Sequence, residues 1–182
     1  MREQSHRMAR ALIGSLLCFT AIGVSDLLCA QASSITYYGI TCGPQPPSGM
    51  PKIVVHNLPR LGQMVSVQQT GMKVQVLPGC IHLFDMFLAF GSSQTQLGNV
   101  PLPVLLPLSL TGSYPCWLWT SADYIGGPQG IVEAFIVPND PALIGKHLYI
   151  QWFVYSWNTG PVCWPYYQRW FTSDCADLLI GR

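Results

Sequence analysis

The residues of this chain best suited to chemistry are its cysteines and histidines, and their spacing does not match a metal or catalytic motif. The cysteines after residue 32 are Cys42, Cys80, Cys116, Cys163 and Cys175. No two of them form the C-x-x-C pair that is typical of zinc sites. The histidines after residue 32 are also far apart: His56, His82 and His147. The sequence therefore predicts no bound metal ion and no cofactor.

The odd number of cysteines leaves one thiol unpaired if the protein is oxidised. Spacing alone does not choose among the pairings, because a disulfide needs Cα atoms within about 7 Å of each other. We favour a bridge between Cys42 and Cys116 and a second bridge between Cys163 and Cys175, which would close a tryptophan-rich loop. Cys80 is then either a small buried hydrophobe or the site of an intermolecular bridge.

Two arrangements could support hydrolysis, namely Cys80 with His82, or a serine with His147 and an aspartate. The chain has no G-x-S-x-G elbow, and the apolar setting of Cys80 would raise the pKa of its thiol. Glu133 is the only glutamate after residue 32, so a glycosidase would need two aspartates. We expect no catalytic residues, and a small secreted hydrolase is the third interpretation of the chain.

Aromatic residues form the most suggestive cluster. In the strand predicted from His147, alternation places three rings on the face opposite Ile150 and Trp152: Tyr149, Phe153 and Tyr155. The loop that follows adds four more: Trp157, Trp164, Tyr166 and Tyr167. These rings could form an exposed surface for sugars or for a protein. Alternatively, the loop of residues 156–168 could bury them.

The first 32 residues have the pattern of an export signal. Arg2, Arg7 and Arg10 precede an uncharged run over residues 11–25, and Ala30-Gln31-Ala32 provides the small residues of a cleavage site. A helix that spans a bilayer needs about 20 apolar residues, and this run is shorter, so no transmembrane span is expected. We predict a signal peptide over residues 1–32 and a secreted or cell-envelope location. Lipidation of Cys29 is the alternative.

The chain after residue 32 has the length of one domain and a nearly neutral surface. The leader contains three of the nine basic and two of the eight acidic residues, so the remaining charges balance. The remaining lysines and arginines are scattered, which argues against a nucleic-acid partner. A neutral surface favours contact with polymers, with the envelope or with other copies of the chain.

Apolar residues recur at every second position, which predicts strands. Residues 64–69 and 72–77 alternate on either side of Thr70-Gly71 and are expected to form a hairpin. The run 81–90 predicts a central strand covered on both faces, and the prolines of residues 101–107 restrict that run to a sheet edge or coil. Further strands are expected at residues 116–120, 130–137, 147–155 and 169–180.

Two stretches are expected to lie outside the strands. Prolines and glycines between residues 43 and 50 predict an extended entry segment over residues 33–50. Asp140 ahead of Pro141 predicts a single helical turn that Gly145 ends. The whole pattern predicts an all-β fold, a single disulfide-stabilised antiparallel two-sheet β-sandwich of roughly seven to nine strands over residues 51–182.

Several motifs carry a resemblance that covers nearly the whole chain after residue 32. They are Tyr38-Gly39-Ile40-Thr41-Cys42-Gly43, Leu102-Pro103 and Pro107-Leu108 before Cys116, the Val-Pro-Asn-Asp-Pro-Ala-Leu-Ile-Gly turn of residues 137–145, Tyr149-Ile150-Gln151-Trp152, and Leu179-Ile180-Gly181. Together they resemble an uncharacterised family of exported β-sandwich domains from environmental Gram-negative bacteria. The resemblance implies the fold, the export and a bridge between Cys42 and Cys116, and it implies no catalytic residues.

The function expected from these features is that of a secreted or envelope structural or interaction domain without catalytic activity. Its partners would be other exported proteins, further copies of itself or a polysaccharide. The alternative is a carbohydrate-binding module that uses the aromatic strand face and the tryptophan-rich loop.

Overall fold

Alternating apolar residues form two antiparallel sheets that pack face to face. The computed structural model describes residues 32–42, 50–72, 75–111, 114–159 and 168–182. Ser33–Arg182 forms one compact unit. In the described part of the chain, no helix is long and apolar enough to cross a membrane.

The larger sheet has six strands. Its order across the sheet is β1 (Ser34–Tyr38), β13 (Gln168–Leu179), β12 (His147–Thr159), β5 (Cys80–Gly91) and β10 (Tyr124–Gln129), and β4 (Gln75–Leu77) also pairs with β5. The smaller sheet has the order β11 (Val132–Ile136), β3 (Met64–Thr70) and β2 (Lys52–His56). Two short ladders pair β6 (Gln96–Leu97) with β7 (Val100–Pro101) and β8 (Val104–Leu105) with β9 (Trp117–Leu118).

The core lies between the two sheets and follows the alternation in the sequence. Val65 and Val67 of β3 are fully buried against residues of the larger sheet such as Leu88, Ile150 and Trp152. On β5, the core side consists of four alternating residues: Phe84, Met86, Leu88 and Phe90. An aromatic contact between Phe90 and Phe135 of β11 joins the sheets, with ring centroids 5.3 Å apart.

The predicted all-β sandwich is confirmed. Nine strands make up its two main sheets within the described residues, and every strand pairing in them is antiparallel. The expected turn is a 3-10 helix over Pro141–Leu143, where the Asp140 Oδ1 atom accepts the Ala142 N–H at 2.9 Å. One further helical turn covers Leu108–Thr111.

The hairpin predicted around Thr70-Gly71 is wrong. Residues 64–70 form β3 of the smaller sheet, whereas β4 pairs with β5 in the larger sheet. Gly71 lies between them with a φ of 88°, and a Cβ there would overlap the carbonyl oxygen of Met50. Gly71 therefore lies where the chain passes from the smaller sheet to the larger one. The alternating pattern does not distinguish a hairpin from a crossing between sheets, because each strand buries one face in either arrangement.

The sandwich begins earlier than the predicted boundary at residue 51. Within the segment expected to be only an extended entry, residues 34–38 form β1 and pair with β13, from Ser34 opposite Leu179 to Tyr38 opposite Cys175. Five residues with little apolar alternation gave no strand signal, and the neighbouring strand supplies the hydrogen bonds that order them. Residues 43–49 of that segment lie outside the described part of the chain.

Candidate functional site

The outer face of the six-stranded sheet, turned away from the smaller sheet, carries the residues that the sequence singles out. On β12 the core side holds Ile150, Trp152 and Val154. The outer side therefore holds the intervening residues Tyr149, Gln151, Phe153, Tyr155 and Trp157. Within the described residues, this face has two halves with different surroundings, a covered half around Gln151 and an open half around Phe153.

The covered half is closed by residues 117–121, whose backbone is held by the buried amide of Gln151. The Gln151 Nε2 atom donates to the carbonyls of Trp117 at 3.0 Å and Ser173 at 2.9 Å. Its Oε1 atom accepts the Trp119 N–H at 3.0 Å. Gln151 is fully buried. One side chain of the sheet thus supplies both a donor and an acceptor to the segment that covers it.

The covering segment lies too close to β5 for a side chain at one position. Gly91 is paired with Tyr149, and a Cβ at Gly91 would overlap the hydroxyl groups of Thr120 and Ser121. The Thr120 hydroxyl also donates to the carbonyl of Tyr149 at 3.5 Å. Of the two alternatives that the sequence left open for Tyr149, exposure and burial, the structure therefore shows burial. Among the described residues, the segment of residues 117–121 lies over this part of the face.

The predicted disulfide between Cys42 and Cys116 is confirmed, and it joins the stretch after β1 to the residue just before the covering segment. The Cys42 N–H donates to the Thr172 carbonyl at 2.9 Å, and the Thr172 N–H donates to the Cys42 Sγ atom at 3.1 Å. The Thr172 hydroxyl donates to the carbonyl of Trp117 at 3.1 Å. Covalent and hydrogen bonds therefore meet at the same edge of the covered half.

The remaining cysteine predictions are wrong. Cys175 is a free and buried thiol, so it forms no bridge with Cys163, and Cys80 is disulfide-bonded rather than free. The register explains the position of Cys175, because it lies opposite Tyr38 on one side and Gln151 on the other. Its side chain therefore points into the covered half. Cys163 itself lies outside the described residues.

Burial controls the ionisation of the polar groups beneath the covering segment. The Cys175 thiol donates to the Tyr38 hydroxyl at 3.0 Å, and that hydroxyl donates to the Trp119 carbonyl at 3.1 Å. Burial raises the pKa of Cys175 to about 12. Burial, with the hydrogen bond from Cys175, also raises the pKa of Tyr38 far above its ordinary value. Cys175 is thus a neutral thiol at physiological pH and not an activated nucleophile.

A histidine and a carboxylate form a pair at the margin of the covered half. The His147 Nδ1 and Asp177 Oδ1 atoms are 2.7 Å apart, and the imidazole stacks on the ring of Tyr149. Such a pair orients an imidazole for proton transfer when a nucleophile is hydrogen-bonded to its other nitrogen. Within the described residues, His147 has no hydroxyl or thiol as a hydrogen-bond partner. Asp177 therefore orients the His147 imidazole, but the described residues place no nucleophile in hydrogen-bond contact with it.

The open half contains a cavity of about 400 Å³ that is lined by apolar side chains from four strands and from the segment around the Leu108–Thr111 turn. Its described lining consists of Phe87, Leu106, Leu110, Ile125, Phe153 and Trp170. The ring of Trp170 contacts those of Phe87 and Tyr155, with centroids 5.5 and 4.9 Å apart. Ile125 is 53% exposed, so the cavity opens onto solvent-accessible apolar surface.

Only part of the predicted aromatic surface lies in this open half. Phe153, Tyr155 and Trp157 are half-buried on the outer face, whereas Trp164, Tyr166 and Tyr167 lie outside the described residues. Phe87, Ile125 and Trp170 line the cavity but were not part of the aromatic surface predicted from the sequence. Phe87 carried a usable signal, because it alternates with the core residues of β5. The pairing with β12 that brings it opposite Phe153 had no sequence signal.

The aspartates have structural partners. Hydrogen bonds from the hydroxyl and backbone N–H of Ser92 to Asp123, at 2.5 and 2.7 Å, lower the pKa of this carboxyl. The Asp174 Oδ1 atom accepts the Ile53 N–H at 2.9 Å, and burial raises the pKa of Asp174. In the described ranges, no group of three or more His, Cys, Asp or Glu side chains is arranged to hold a metal ion.

Comparisons with known proteins return no match. No family model matches the chain, no curated protein is significantly similar to it, and no solved structure matches it. The function is therefore inferred from the contacts and surfaces of the chain itself.

Proposed function

We propose that this protein is an exported interaction domain without catalytic activity, and that its open half binds an apolar side chain of another exported protein. The observation that carries the proposal is the apolar cavity between Phe87, Phe153 and Trp170. Cavities of this kind accept a single large side chain, and such anchors dominate the affinity of many protein interfaces.

The cavity has the rigidity that a binding site needs. The rings of Phe87 and Tyr155 both pack on Trp170, and Phe87 and Phe153 are paired across β5 and β12. These rings belong to the central strands of the larger sheet, so little conformational freedom remains to be lost on binding. The exposed Ile125 and Leu110 extend the apolar surface beyond the cavity.

The polar cluster beside Tyr149 supports a non-catalytic role. Its thiol, Cys175, is buried with a pKa raised to about 12. This thiol is therefore protonated at neutral pH and is not a thiolate nucleophile. Because the cluster is tied into the covered half by hydrogen bonds, its groups stabilise the fold.

Binding of a polysaccharide is the second candidate function, and one observation favours it. Asp85 is paired with Tyr155 on the outer face, and the ring of Tyr155 contacts that of Trp170. A sugar is typically held by stacking on an aromatic ring and by hydrogen bonds to a nearby polar group. The six described residues that line the cavity are all apolar, and for that reason we favour a protein partner.

Display of random peptides on phage, panned against the purified protein, tests the proposal. We expect the selected peptides to share one large apolar residue and to bind with dissociation constants on the order of micromolar. Ile125→Asp should weaken this binding at least about tenfold, because it places a charge at the mouth of an apolar cavity. Val100→Asp is the matched control, since Val100 is 49% exposed and does not line the cavity.

Two outcomes would contradict the proposal. If the selected peptides share no large apolar residue, the protein does not bind an apolar anchor. If wild type and Ile125→Asp bind the peptides equally well, the cavity is not the binding site. A panel of soluble polysaccharides tested by tryptophan fluorescence distinguishes the second candidate. Saturable quenching that Tyr155→Ala abolishes would replace the protein partner with a sugar.

A further inference from the structure

Within the described residues, one edge of β11 has no partner strand. β11 pairs with β3 alone in the described part of the chain. The backbone bonds at its two ends, from Gln69 N–H to the Ile131 carbonyl and from Val137 N–H to the Gln63 carbonyl, show which residues face β3. The odd-numbered residues bond β3, so the even-numbered ones direct their N–H and C=O groups outward.

Three residues therefore present an uninterrupted set of donors and acceptors: Val132, Ala134 and Ile136. Each has one N–H and one C=O on the free edge. Their side chains also share the outer surface of the smaller sheet, where Val132 is 48% and Ile136 is 68% exposed. An exposed apolar edge without lysine or proline is the kind of strand that pairs with another strand.

Two other sheet edges of this protein are blocked. On β2, the outward N–H groups of Ile53 and Val55 donate to Asp174 Oδ1 at 2.9 Å and to the Tyr37 hydroxyl at 3.0 Å. On β10, the register shifts between Gly126 and Gln129, a stretch that includes Pro128. Side-chain caps and a bulge of this kind prevent strand addition. β11 has neither.

We propose that two copies of the protein associate through β11, pairing antiparallel about a two-fold axis at Ala134. In this register Ala134 faces Ala134 of the second copy, and Val132 faces Ile136 in both directions. All three pairs are of the hydrogen-bonded type, so every outward backbone group of the edge finds a partner. The smaller sheets of the two copies become one continuous six-stranded sheet.

The charges and shapes on β11 favour a second copy over other strands. Along the strand in either direction, the outward side chains Val132, Ala134 and Ile136 have the order large, small, large. The strand is therefore complementary to itself about a two-fold axis. Its one charged residue, Glu133, would lie opposite Phe135 of the second copy and not opposite another carboxylate. The even balance of charges over the chain after residue 32 adds little long-range repulsion between copies.

Sedimentation velocity of the purified protein from about 1 to about 300 µM tests this association, for which we expect a micromolar dissociation constant. Ala134→Lys should raise that constant at least about tenfold, because the two-fold axis brings two ammonium groups together. Ser34→Lys is the matched control, since it places the same charge on the exposed end of another edge strand, β1. A monomer throughout this range, or dimers that Ala134→Lys leaves intact, would overturn the proposal.

Cysteine crosslinking tests the register independently of affinity. Ala134→Cys should form a disulfide-linked dimer on mild oxidation, because residue 134 meets itself across an axis where Cα atoms are about 5.5 Å apart. Val132→Cys alone should crosslink much less, since it faces Ile136. The opposite ranking would overturn the register. Both variants change an exposed residue, and near-ultraviolet circular dichroism shows whether each one is folded.

Discussion

The covered and open halves of the outer face lie on the same strands, yet within the described residues a covering segment closes only one of them. In the covered half, the side chains of Gln151 and Thr172 form hydrogen bonds with the backbone of the covering segment, residues 117–121. The disulfide at Cys116 anchors this segment. In the open half, Phe153 and its neighbours present apolar rings that contact one another. Among the described residues, no covering segment lies over this apolar surface. A backbone that crosses a sheet needs hydrogen-bond partners on that sheet.

The comparison also separates stability from binding. Groups in the covered half are buried and bonded to distant parts of the chain, so their removal should destabilise the fold. Ile125 and Leu110, at the mouth of the open half, are solvent-accessible. Their replacement should change binding with little effect on the free energy of unfolding.

The largest effect is expected from removing the bridge that anchors the covered half. Cys42→Ala with Cys116→Ala opens a covalent loop with a sequence separation of 74 residues. The loss of this constraint on the unfolded chain should lower the free energy of unfolding by about 4 kcal/mol. Urea denaturation monitored by tryptophan fluorescence measures the difference. A change below about 1 kcal/mol would show that the anchor is dispensable.

The amide that holds the covering segment should have the next largest effect. Gln151→Leu keeps the size of the side chain but leaves the Trp117 and Ser173 carbonyls and the Trp119 N–H without this partner. Such buried polar groups are costly, and we expect a loss of about 2–3 kcal/mol in the same denaturation experiment. Gln96→Leu, at an exposed position of β6, is the matched control and should change stability by less than about 0.5 kcal/mol.

Alkaline pH should weaken the covered half. Burial raises the pKa of Cys175 from 9.0 to about 12, so its contribution to stability is complete below pH 9.0 and declines as the pH rises towards 12. The raised pKa of Tyr38 acts in the same direction. We expect a loss of roughly 1–2 kcal/mol between pH 8.5 and pH 10.5. Cys175→Ala should show a smaller decline, and identical declines in the two proteins would exclude this thiol as a cause.

The smallest effect on stability is expected in the open half. Ile125→Asp changes a side chain that is 53% exposed, so the free energy of unfolding should fall by no more than about 1 kcal/mol. The same variant should lose its apolar peptide ligands. A loss of several kcal/mol in the denaturation experiment would mean that the cavity supports the fold, and the contrast between the halves would then fail.

The sequence predicted the positions of individual strands better than it predicted which strands pair with each other. The strand expected over residues 81–90 lies within β5, and the Asp140-Pro141 turn was recognised from its capping residue. The supposed hairpin at Gly71 failed because a glycine with positive φ serves a tight turn and a crossing between sheets equally well. β1 was missed because its five residues depend on the hydrogen bonds of β13.

For the candidate site, the sequence determined which residues share a face, because side chains alternate along any strand. It placed Tyr149, Phe153 and Tyr155 on the side opposite Ile150. Only the tertiary structure decided that Tyr149 is buried, that Cys175 is the free thiol and that Phe87 and Trp170 complete a cavity with Phe153. These outcomes depend on contacts between distant residues, such as Gln151 with Trp119, and the local period of a sequence carries no information about such pairings.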